Sequence, residues 1–402
     1  MADVLLGQIA HTESNEPLST TDQGDGTYAQ DVQQVGSIDA ELQGDLADSL
    51  ATIEKQQETI TELSRLAPSS PPSDFTEAPG GKVLLAGDSE AGFYGFLQPS
   101  EFGEIEDNPE GSKNFNGDNL ALALGISQGT SKYSDISWTK FSWNGKILFV
   151  PVKTLRYSIS WNTIYEAGAV YGDDSVGTLP PNGRAGLELA IISDGVTGTD
   201  FTDEASAIIA TSGETLTIAG SASNDGTYDV TGVTNTKITL DATLTPESSG
   251  NNDLRIWNPL DEVTQDAIET IGGLQYRIRL MRGAANDPVD SYVDSDRGSR
   301  GDENEWNRLI LPLHERAKDD SWNYTEYAPE SVDDWTVGLT DENMMTRDDY
   351  GSGSRSWCQE VRNDSDTYRR VDRGGYGVSS LSAPYSWSTV SNLGWRPVLE
   401  LA

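Results

Sequence analysis

Cysteine, histidine and lysine are all scarce in this sequence of 402 residues. The single cysteine, Cys358, excludes an intrachain disulfide and is expected to be a small buried apolar residue. Only His11 and His314 are available for a histidine-rich metal site or a Ser-His-Asp triad. The spacings of a P-loop, a nucleophile elbow and a zinc site are also missing. The sequence therefore offers little for nucleophilic or redox chemistry.

Long apolar runs are absent as well. No stretch reaches the roughly 18 apolar residues of a membrane-spanning helix, so no membrane span is expected. The N-terminal MADVLLGQIA lacks the positively charged region of a secretory signal. If the protein acts outside a cell, we expect it to get there without a signal peptide.

Negative charge is abundant. The chain has 65 acidic and 27 basic residues, of which nine are lysines, and its net charge is -38. Such a charge repels itself in dilute buffer, whereas at molar salt the Debye length falls to about 3 Å. The pattern is typical of a protein that works in concentrated brine, and an acidic low-salt protein such as a calcium binder is the alternative. Without clustered positive charge, no nucleic-acid partner is expected.

The first 81 residues are predicted to form a polar arm, a helix and a linker. Residues 1–36 are predicted to be an extended attachment arm, with a disordered tail as the alternative. Residues 37–67 carry an imperfect heptad pattern that favours a short coiled coil over a single amphipathic helix. The predicted oligomerisation residues are Leu42, Leu46, Ile53, Gln56, Ile60 and Leu63. The proline-bearing residues 68–81 then form a stiff linker.

From residue 82 the pattern is mainly β with some α. Residues 82–189 are predicted to form the first part of a β-rich body, with a type I′ hairpin at Asn144-Gly145 and a short helix at WNTIYEAG. Residues 190–257 alternate with period two and predict an inserted small β-sandwich or barrel. Residues 258–402 complete the body, with a helix in DENEWNRLILPLHERAKD broken by Pro312.

Two short motifs lie near the end of the sequence. Arg373-Gly374-Gly375-Tyr376 is followed about twenty residues later by Gly394-Trp395-Arg396-Pro397-Val398. This pair resembles the end of a C-type-lectin fold of the formylglycine-generating-enzyme type. The resemblance implies a C-type-lectin-like body, with Arg396 able to pair with a carboxylate in a partly buried position. Formylglycine-generating enzymes need two cysteines, so their oxidase activity is not implied here.

Other segments resemble virion proteins. The stretch from GDNLALALG to AGAVYG is similar to structural proteins of tailed viruses, and NDGTYDVTGVT resembles a small β module of virion proteins. The layout of the two closing motifs is also similar to viral tropism determinants, in which residues before the terminal strand touch the receptor. With the brine-type charge, the resemblance is to a caudovirus-like, tailed virus of halophilic archaea.

Aromatic and arginine residues cluster between positions 350 and 387. Tyrosine, serine and glycine with arginine and tryptophan anchors are typical of binding loops, and flat aromatic faces suit sugars. The predicted receptor-binding residues are Tyr350, Arg355, Arg369, Tyr376, Tyr385 and Trp387. We expect Trp357 and Trp395 to lie inside the domain, and Tyr385 and Trp387 to lie nearer the surface.

Carboxylates also occur in clusters. They are Asp287, Asp290, Asp294, Asp296, Asp302, Glu303, Glu305, Asp333 and Asp334. Calcium takes about six to eight oxygen ligands, but the spacing in DPVDSYVDSDRG does not match an EF-hand. A solvated surface is the favoured interpretation. No cofactor is expected, and bound Ca²⁺, Mg²⁺ or Na⁺ ions stay open.

These observations predict a non-enzymatic virion protein, a projecting fibre, spike or turret on the exterior of head or tail. We expect a homotrimer whose arm contacts other virion proteins and whose lectin-like domain binds a host glycan or surface-layer glycoprotein. One alternative is a head-decoration or baseplate protein whose lectin-like fold serves assembly. The other is a glycan-cleaving spike that uses paired carboxylates.

Overall fold

The computed structural model describes residues 78–106, 108, 113–185, 189–197, 212–234, 236–284, 287, 304–315, 333–362 and 368–402. The predicted arm and coiled coil, with all six oligomerisation residues, lie outside the described residues, as does the predicted linker up to residue 77. The described part of the chain is mainly β with short helices, which confirms the expected fold class at that level.

The secondary structure consists of short strands and shorter helices. The strands are β1 (Ala86–Gly87), β2 (Ala91–Leu97), β3 (Thr130–Ser131), β4 (Trp138–Trp143), β5 (Lys146–Pro151), β6 (Arg156–Tyr157), β7 (Pro181–Ala185), β8 (Ala190–Ile192), β9 (Gly195–Thr197), β10 (Thr215–Ala219), β11 (Gly226–Thr234), β12 (Lys237–Leu240), β13 (Arg255–Pro259), β14 (Ile268–Ile271), β15 (Leu274–Arg279), β16 (Arg355–Val361), β17 (Arg370–Arg373), β18 (Leu381–Ser382), β19 (Leu393–Trp395) and β20 (Val398–Leu401). The α-helices are α1 (Gly117–Ala123), α2 (Trp161–Glu166) and α3 (Asp341–Met344).

Within the described residues these strands form three sheets. The first has the order β1-β2-β4-β5-β20-β15-β14, the second β7-β13-β10-β11-β12-β9-β8, and the third β18-β17-β16-β19-β6-β3. The first and third sheets combine strands from both ends of the described chain, whereas the second uses only strands from Pro181 to Pro259.

The hairpin predicted at Asn144-Gly145 is confirmed. Trp143 pairs with Lys146 in an antiparallel register, and the two residues between them have φ angles of 49° and 79°. A type I′ turn requires positive φ at both central positions, which asparagine and glycine tolerate better than other residues. The local sequence therefore fixes the connection between β4 and β5.

The central strands of the first sheet, β4, β5 and β20, are buried on both faces. In β15, Tyr276 and Ile278 enter the main apolar core, while the alternating residues Arg277 and Arg279 point to the other face. A second apolar cluster around Trp306 covers that other face beside β4 and β5. The charged side chains of β15 therefore lie where the apolar cover ends.

The second sheet wraps around a core of its own. Six of its strands, β8 to β13, contribute to one apolar cluster that includes Ile191, Leu216 and Ile256. Strand β11 pairs with β10 through its first half and with β12 through its second, with a register shift between Val230 and Gly232. The segment is thus a single bent sheet that extends beyond the predicted limits 190–257. Its first strand, β7, was not predicted because the sequence PNGRA lacks the period-two pattern of a strand.

The end of the sequence joins the first and third sheets. Strand β19 lies beside β16 and β6 in the third sheet, and after Arg396-Pro397 the chain enters the first sheet as β20, between β5 and β15. Trp357 and Trp395 are fully buried, as expected. The aromatic and apolar character of the closing residues follows from this central position.

The short helices have identifiable signals. Asn116 and Ser160 cap α1 and α2 by accepting hydrogen bonds from the backbone N–H groups of Asn119 and Thr163. Helix α2 confirms the prediction for WNTIYEAG. The helix predicted around Pro312 is a π turn at Trp306–Ile310 followed by a 3₁₀ turn at Leu311–Leu313. Within the described residues there is no helix whose length and hydrophobicity would let it cross a membrane.

Candidate binding surface

The six predicted receptor-binding residues fall into two separate groups. Arg369, Tyr385 and Trp387 belong to an aromatic cluster that also includes Trp257 and Tyr368, here called the aromatic joint. The other three belong to a different surface, described below.

The aromatic joint connects the second sheet to the rest of the fold. Tyr385 stacks on Trp387 with ring centroids 4.9 Å apart and an angle of 6° between the rings. Arg255 of β13 donates a hydrogen bond of 2.9 Å from Nε to the Tyr385 hydroxyl. A Cβ at Gly183 of β7 would lie 2.9 Å from the Trp387 ring, so this ring packs directly on β7.

The position of Trp387 corrects the sequence-based expectation. Trp387 is only 7% exposed and Tyr385 is half-buried, because both rings are covered by the second sheet. Trp387 was expected near the surface, where it could meet a receptor. Its observed contacts instead indicate a packing role between two parts of the fold.

Tyr350 and Tyr376 belong to two loops that are tied to each other, and Arg355 is the first residue of β16 beside them. We call the residues Arg347, Asp349, Tyr350, Arg355 and Tyr376 the Tyr376 surface. Arg347 and Tyr376 form an antiparallel β-bridge. Tyr376 is 57% exposed and Tyr350 is 39% exposed.

The backbone holds the Tyr376 loop in place. The Asp348 N–H donates to the Gly375 carbonyl at 3.0 Å, and the Tyr376 N–H donates to the Ser380 hydroxyl at 2.9 Å. Gly374 and Gly377, on either side, have φ angles of 103° and 131°, which favour glycine. The loop therefore presents its tyrosine from a fixed backbone.

Arg355 supports the tyrosine electrostatically. Its guanidinium carbon lies 5.6 Å from the centroid of the Tyr376 ring, and its Nη2 donates to a carboxylate oxygen of Asp348 at 2.6 Å. A Cβ at Gly375 would lie 2.8 Å from Arg355 Nε, so a side chain there would displace the guanidinium from this position. The ring is thus placed over a cation that is itself anchored.

A buried carboxylate lies behind this arginine. Asp372 is fully buried, and one of its carboxylate oxygens lies 3.9 Å from Arg355 Nη1. Burial raises the pKa of Asp372 to about 7, although the guanidinium of Arg355 acts against the shift. For Arg355, burial lowers the pKa, but the carboxylates of Asp348 and Asp372 raise it above its usual value. The guanidinium of Arg355 therefore stays positively charged.

Two arginines from the closing motifs meet at one tryptophan. The guanidinium carbons of Arg373 and Arg396 lie 5.6 Å and 5.5 Å from the Trp306 ring centroid. Arg396 was expected to pair with a carboxylate in a partly buried position. It is instead 1% exposed and donates to the Met344 carbonyl, because the apolar cluster around Trp306 encloses it.

The predicted acidic clusters are dispersed where the structure describes them. Asp287 accepts a hydrogen bond from the Val361 N–H, Glu305 pairs with Arg279, and Asp333 lies 3.8 Å from Arg308. The positions 290, 294, 296, 302 and 303 lie outside the described residues. In the part of the chain that the structure describes, no group of three or more His, Cys, Asp or Glu residues is arranged to hold a metal ion.

Among the described residues, the cysteine and histidine considered for reactive chemistry are buried, and His11 lies outside them. Cys358 is fully buried, and burial raises the pKa of its thiol well above the usual value. His314 is 1% exposed, and its Nε2 lies 3.4 Å from a carboxylate oxygen of Asp341. Both residues belong to the interior of the fold.

Sequence reasoning missed two acidic residues at this surface, Asp349, which belongs to it, and Asp348, which holds Arg355. Both stand in TRDDYGSGSR, directly before Tyr350 and the glycine-rich turn, and that adjacency could have indicated them. Asp372 could not be found in this way, since its neighbour Arg355 is distant in sequence.

Comparisons with models of known protein families, with curated proteins and with solved structures found no match.

Proposed function

We propose that this chain is a non-enzymatic virion protein of a tailed virus, a projecting fibre, spike or turret that binds the host cell surface. In this proposal the Tyr376 surface on a lectin-like C-terminal domain contacts a glycan or surface-layer glycoprotein. The proposal rests on the sequence resemblances and on one structural observation.

That observation is the presentation of Tyr376. Tyr376 is 57% exposed, so its ring stays hydrated unless a partner covers it. Its loop is nevertheless fixed by two hydrogen bonds that backbone N–H groups donate, one to the Gly375 carbonyl and one to the Ser380 hydroxyl. A rigid exposed tyrosine binds at a low entropic cost, which is why tyrosine is abundant in binding loops. We interpret this fixed and exposed tyrosine as a contact for a binding partner.

The chemistry around the ring suits a sugar. A flat aromatic face can cover the apolar face of a pyranose, while Arg347 and Asp349 offer exposed hydrogen-bonding groups beside it. These two residues form an ion pair of 2.5 Å with side chains that are 43% and 72% exposed. Such short-range contacts persist in concentrated salt, where long-range attraction is screened.

The test uses the full-length chain and intact cells of a halophilic archaeon in molar salt. Cell binding should fall by about tenfold in Tyr376→Ala, the loss typical of an aromatic hot spot, and more weakly in Tyr350→Ala. Ile268→Ala is the matched control, because Ile268 is an apolar residue that is 45% exposed on β14. Wild-type binding that Tyr376→Ala leaves unchanged would exclude this surface.

A second candidate function is assembly alone, as in a head-decoration or baseplate protein. Val83, Leu84 and Leu85 are 71%, 39% and 63% exposed in front of β1, which is the edge of the first sheet. Exposed aliphatic residues at a sheet edge are typical of association surfaces. If Val83→Ser and Leu85→Ser reduce the size of the assembly while wild type binds no cells at any salt concentration, assembly is favoured.

A further inference from the structure

A polar cleft of about 450 Å³ lies at the charged face of the first sheet. Its lining includes Trp143 and Lys146 at the tip of the β4–β5 hairpin, Arg277 and Arg279 of β15, and Gln359 of β16. Small-molecule sites typically have volumes of about 300–1,000 Å³. The lining residues are different from those of the Tyr376 surface, so this cleft is a separate feature of the molecule.

Arg279 forms a fixed part of the cleft wall. Its Nη1 and Nη2 donate to the two carboxylate oxygens of Glu305 at 2.8 Å and 2.6 Å, and its Nε donates to Glu400 at 2.9 Å. The side chains of all three residues are at most 7% exposed. Because the bidentate pair and the second carboxylate use the donors of Arg279, this group supports the cleft rather than a ligand.

Two other arginines in the lining have donors to spare. Arg277 reaches Glu400 only at 3.8 Å, and its buried Nε–H has no hydrogen-bond partner among the described residues. In the same part of the chain, the guanidinium of Arg282 has no hydrogen bond and no ion pair within 4 Å, although its charge acts on the carboxyl of Asp287. Unsatisfied guanidinium donors in a concave site favour a carboxylate or a similar planar anion.

The charge of the cleft differs from that of the whole chain. The lining holds four cations, Lys146, Arg277, Arg279 and Arg282, beside five carboxyl groups, in a chain whose net charge is -38. Burial raises the pKa of Glu360, another lining residue, to about 8, so this carboxyl adds little negative charge at neutral pH. With Glu360 protonated, cations and carboxylates balance in the lining, so an anion is repelled less here than by the strongly acidic chain as a whole.

The remaining lining groups favour hydroxyl-rich ligands. Asp173 presents an exposed carboxylate, and Asp287 presents a carboxylate of which one oxygen already accepts a hydrogen bond of 2.9 Å from the Val361 N–H. Gln359 donates from Nε2 to the Leu280 carbonyl at 2.9 Å, which orients its amide. The indole of Trp143, which is 9% exposed, contributes an apolar wall at the hairpin tip. Carboxylate acceptors, an oriented amide and one aromatic wall are the usual complement of a sugar ring.

We infer that this cleft is a second ligand site, which takes a saccharide carrying a carboxylate, with Arg277 and Arg282 holding the anionic group. The carboxylates of Asp173 and Asp287 accept hydrogen bonds from the sugar hydroxyls. This site is independent of the proposed function, because it requires neither the Tyr376 surface nor a virion.

The test compares methyl β-D-glucuronide with methyl β-D-glucoside, which differ in the carboxylate, by titration calorimetry on the full-length chain in molar salt. The glucuronide should bind about tenfold more tightly, and Arg277→Ala or Arg282→Ala should each remove most of that difference. Arg308→Ala is the matched control, since its side chain is 30% exposed against 34% for Arg277. Tyr376→Ala should leave glucuronide binding unchanged.

Three results would overturn the inference. The first is an absence of glucuronide binding, and the second is equal affinity for the glucuronide and the glucoside. The third is acetate binding as tight as glucuronide binding, which would make the cleft an anion site without a sugar requirement. If Tyr376→Ala loses cell adhesion but still binds the glucuronide, the cleft and the Tyr376 surface bind their ligands independently.

Discussion

Arg279 and Glu400 are separated by 121 residues in the chain and form a buried ion pair, with 2.9 Å between Arg279 Nε and a Glu400 carboxylate oxygen. Strands β15 and β20, which carry them, are adjacent and antiparallel in the first sheet. Glu400 also accepts a hydrogen bond of 2.6 Å from Lys146 of β5, the neighbour of β20 on its other side. One carboxylate thus connects three strands.

We predict that Glu400→Gln lowers the free energy of unfolding by about 3 kcal/mol. The reason is that Arg279, which is buried, keeps Glu305 but loses its second charged partner. The charge of Arg279 stays compensated by Glu305, but its buried Nε–H loses an ionised acceptor in a poorly polar environment. Urea unfolding of full-length wild type and variant, followed by tryptophan fluorescence, measures the difference.

Lys146→Gln provides the matched control at the other end of the same carboxylate. The Lys146 side chain is 46% exposed, so its removal should cost at most about 1 kcal/mol, and less in concentrated salt. Equal destabilisation by the two substitutions would mean that the Arg279–Glu400 pair is no stronger than a surface ion pair.

Strand β20 should also be sensitive to loss of apolar volume. Leu399 is fully buried in the main core, so Leu399→Ala should destabilise the protein by about 2–5 kcal/mol through lost burial and a residual cavity. Ile268→Ala removes a similar volume from a side chain that is 45% exposed and should change stability much less. Thermal and urea unfolding should rank the two variants in this order, and similar values for both would contradict the central position of β20.

Local signals account for the parts of the fold that the sequence predicted. The Asn144-Gly145 turn and helix α2 depend on residues that are neighbours in the chain, so their signals are complete within a short window. Strand β7 was missed because its sequence, PNGRA, has no alternation and pairs with β13 about seventy residues later. Nothing in PNGRA itself specifies that partner.

For the candidate sites too, what the sequence could predict depended on how far apart along the chain the contacting residues are. Composition predicted both Tyr376 and Trp387 as receptor-binding residues and could not show that one is exposed and the other buried, since both stand among glycine and serine. The burial of Trp387 depends on β7, about 200 residues earlier. The cleft around Arg279 was not predicted, because its ion-pair partners Glu305 and Glu400 are 26 and 121 residues away.

For two aromatic residues of the same region, the structure predicts a large and a small effect on the free energy of unfolding. Trp387→Ala should lower the free energy of unfolding by about 3–5 kcal/mol, because it empties the space between Tyr385 and β7. Tyr376→Ala should change it by less than about 1 kcal/mol, since the ring is 57% exposed. Denaturant unfolding at a fixed salt concentration measures both values.

This pair of variants also separates packing from recognition. Any loss of cell binding in Trp387→Ala should disappear when binding is measured under conditions where the variant is fully folded. A binding loss in the fully folded variant would mean that Trp387 contacts the receptor, and it would contradict the packing role assigned to this residue.

Glu360 should make stability depend on pH with an unusual sign. Burial, followed by the charge of Asp287, raises the pKa of Glu360 from 4.5 to about 8. Between these values the folded protein holds a proton that the unfolded chain has released, so a rise in pH destabilises the fold. The slope from this one group is at most about 1.4 kcal/mol per pH unit, and the loss is complete above the folded pKa.

Glu360→Gln isolates this contribution. The amide oxygen can still accept the hydrogen bonds that the Gly283 and Ala284 N–H groups donate to the carboxyl, and the amide carries no charge at any pH in the window. Relative to wild type, the variant should gain stability steadily as the pH rises from about 5 to 8. Urea unfolding of both proteins across this window gives the difference directly. A constant difference would mean that Glu360 is ionised in the folded protein throughout, with a partner that compensates its charge.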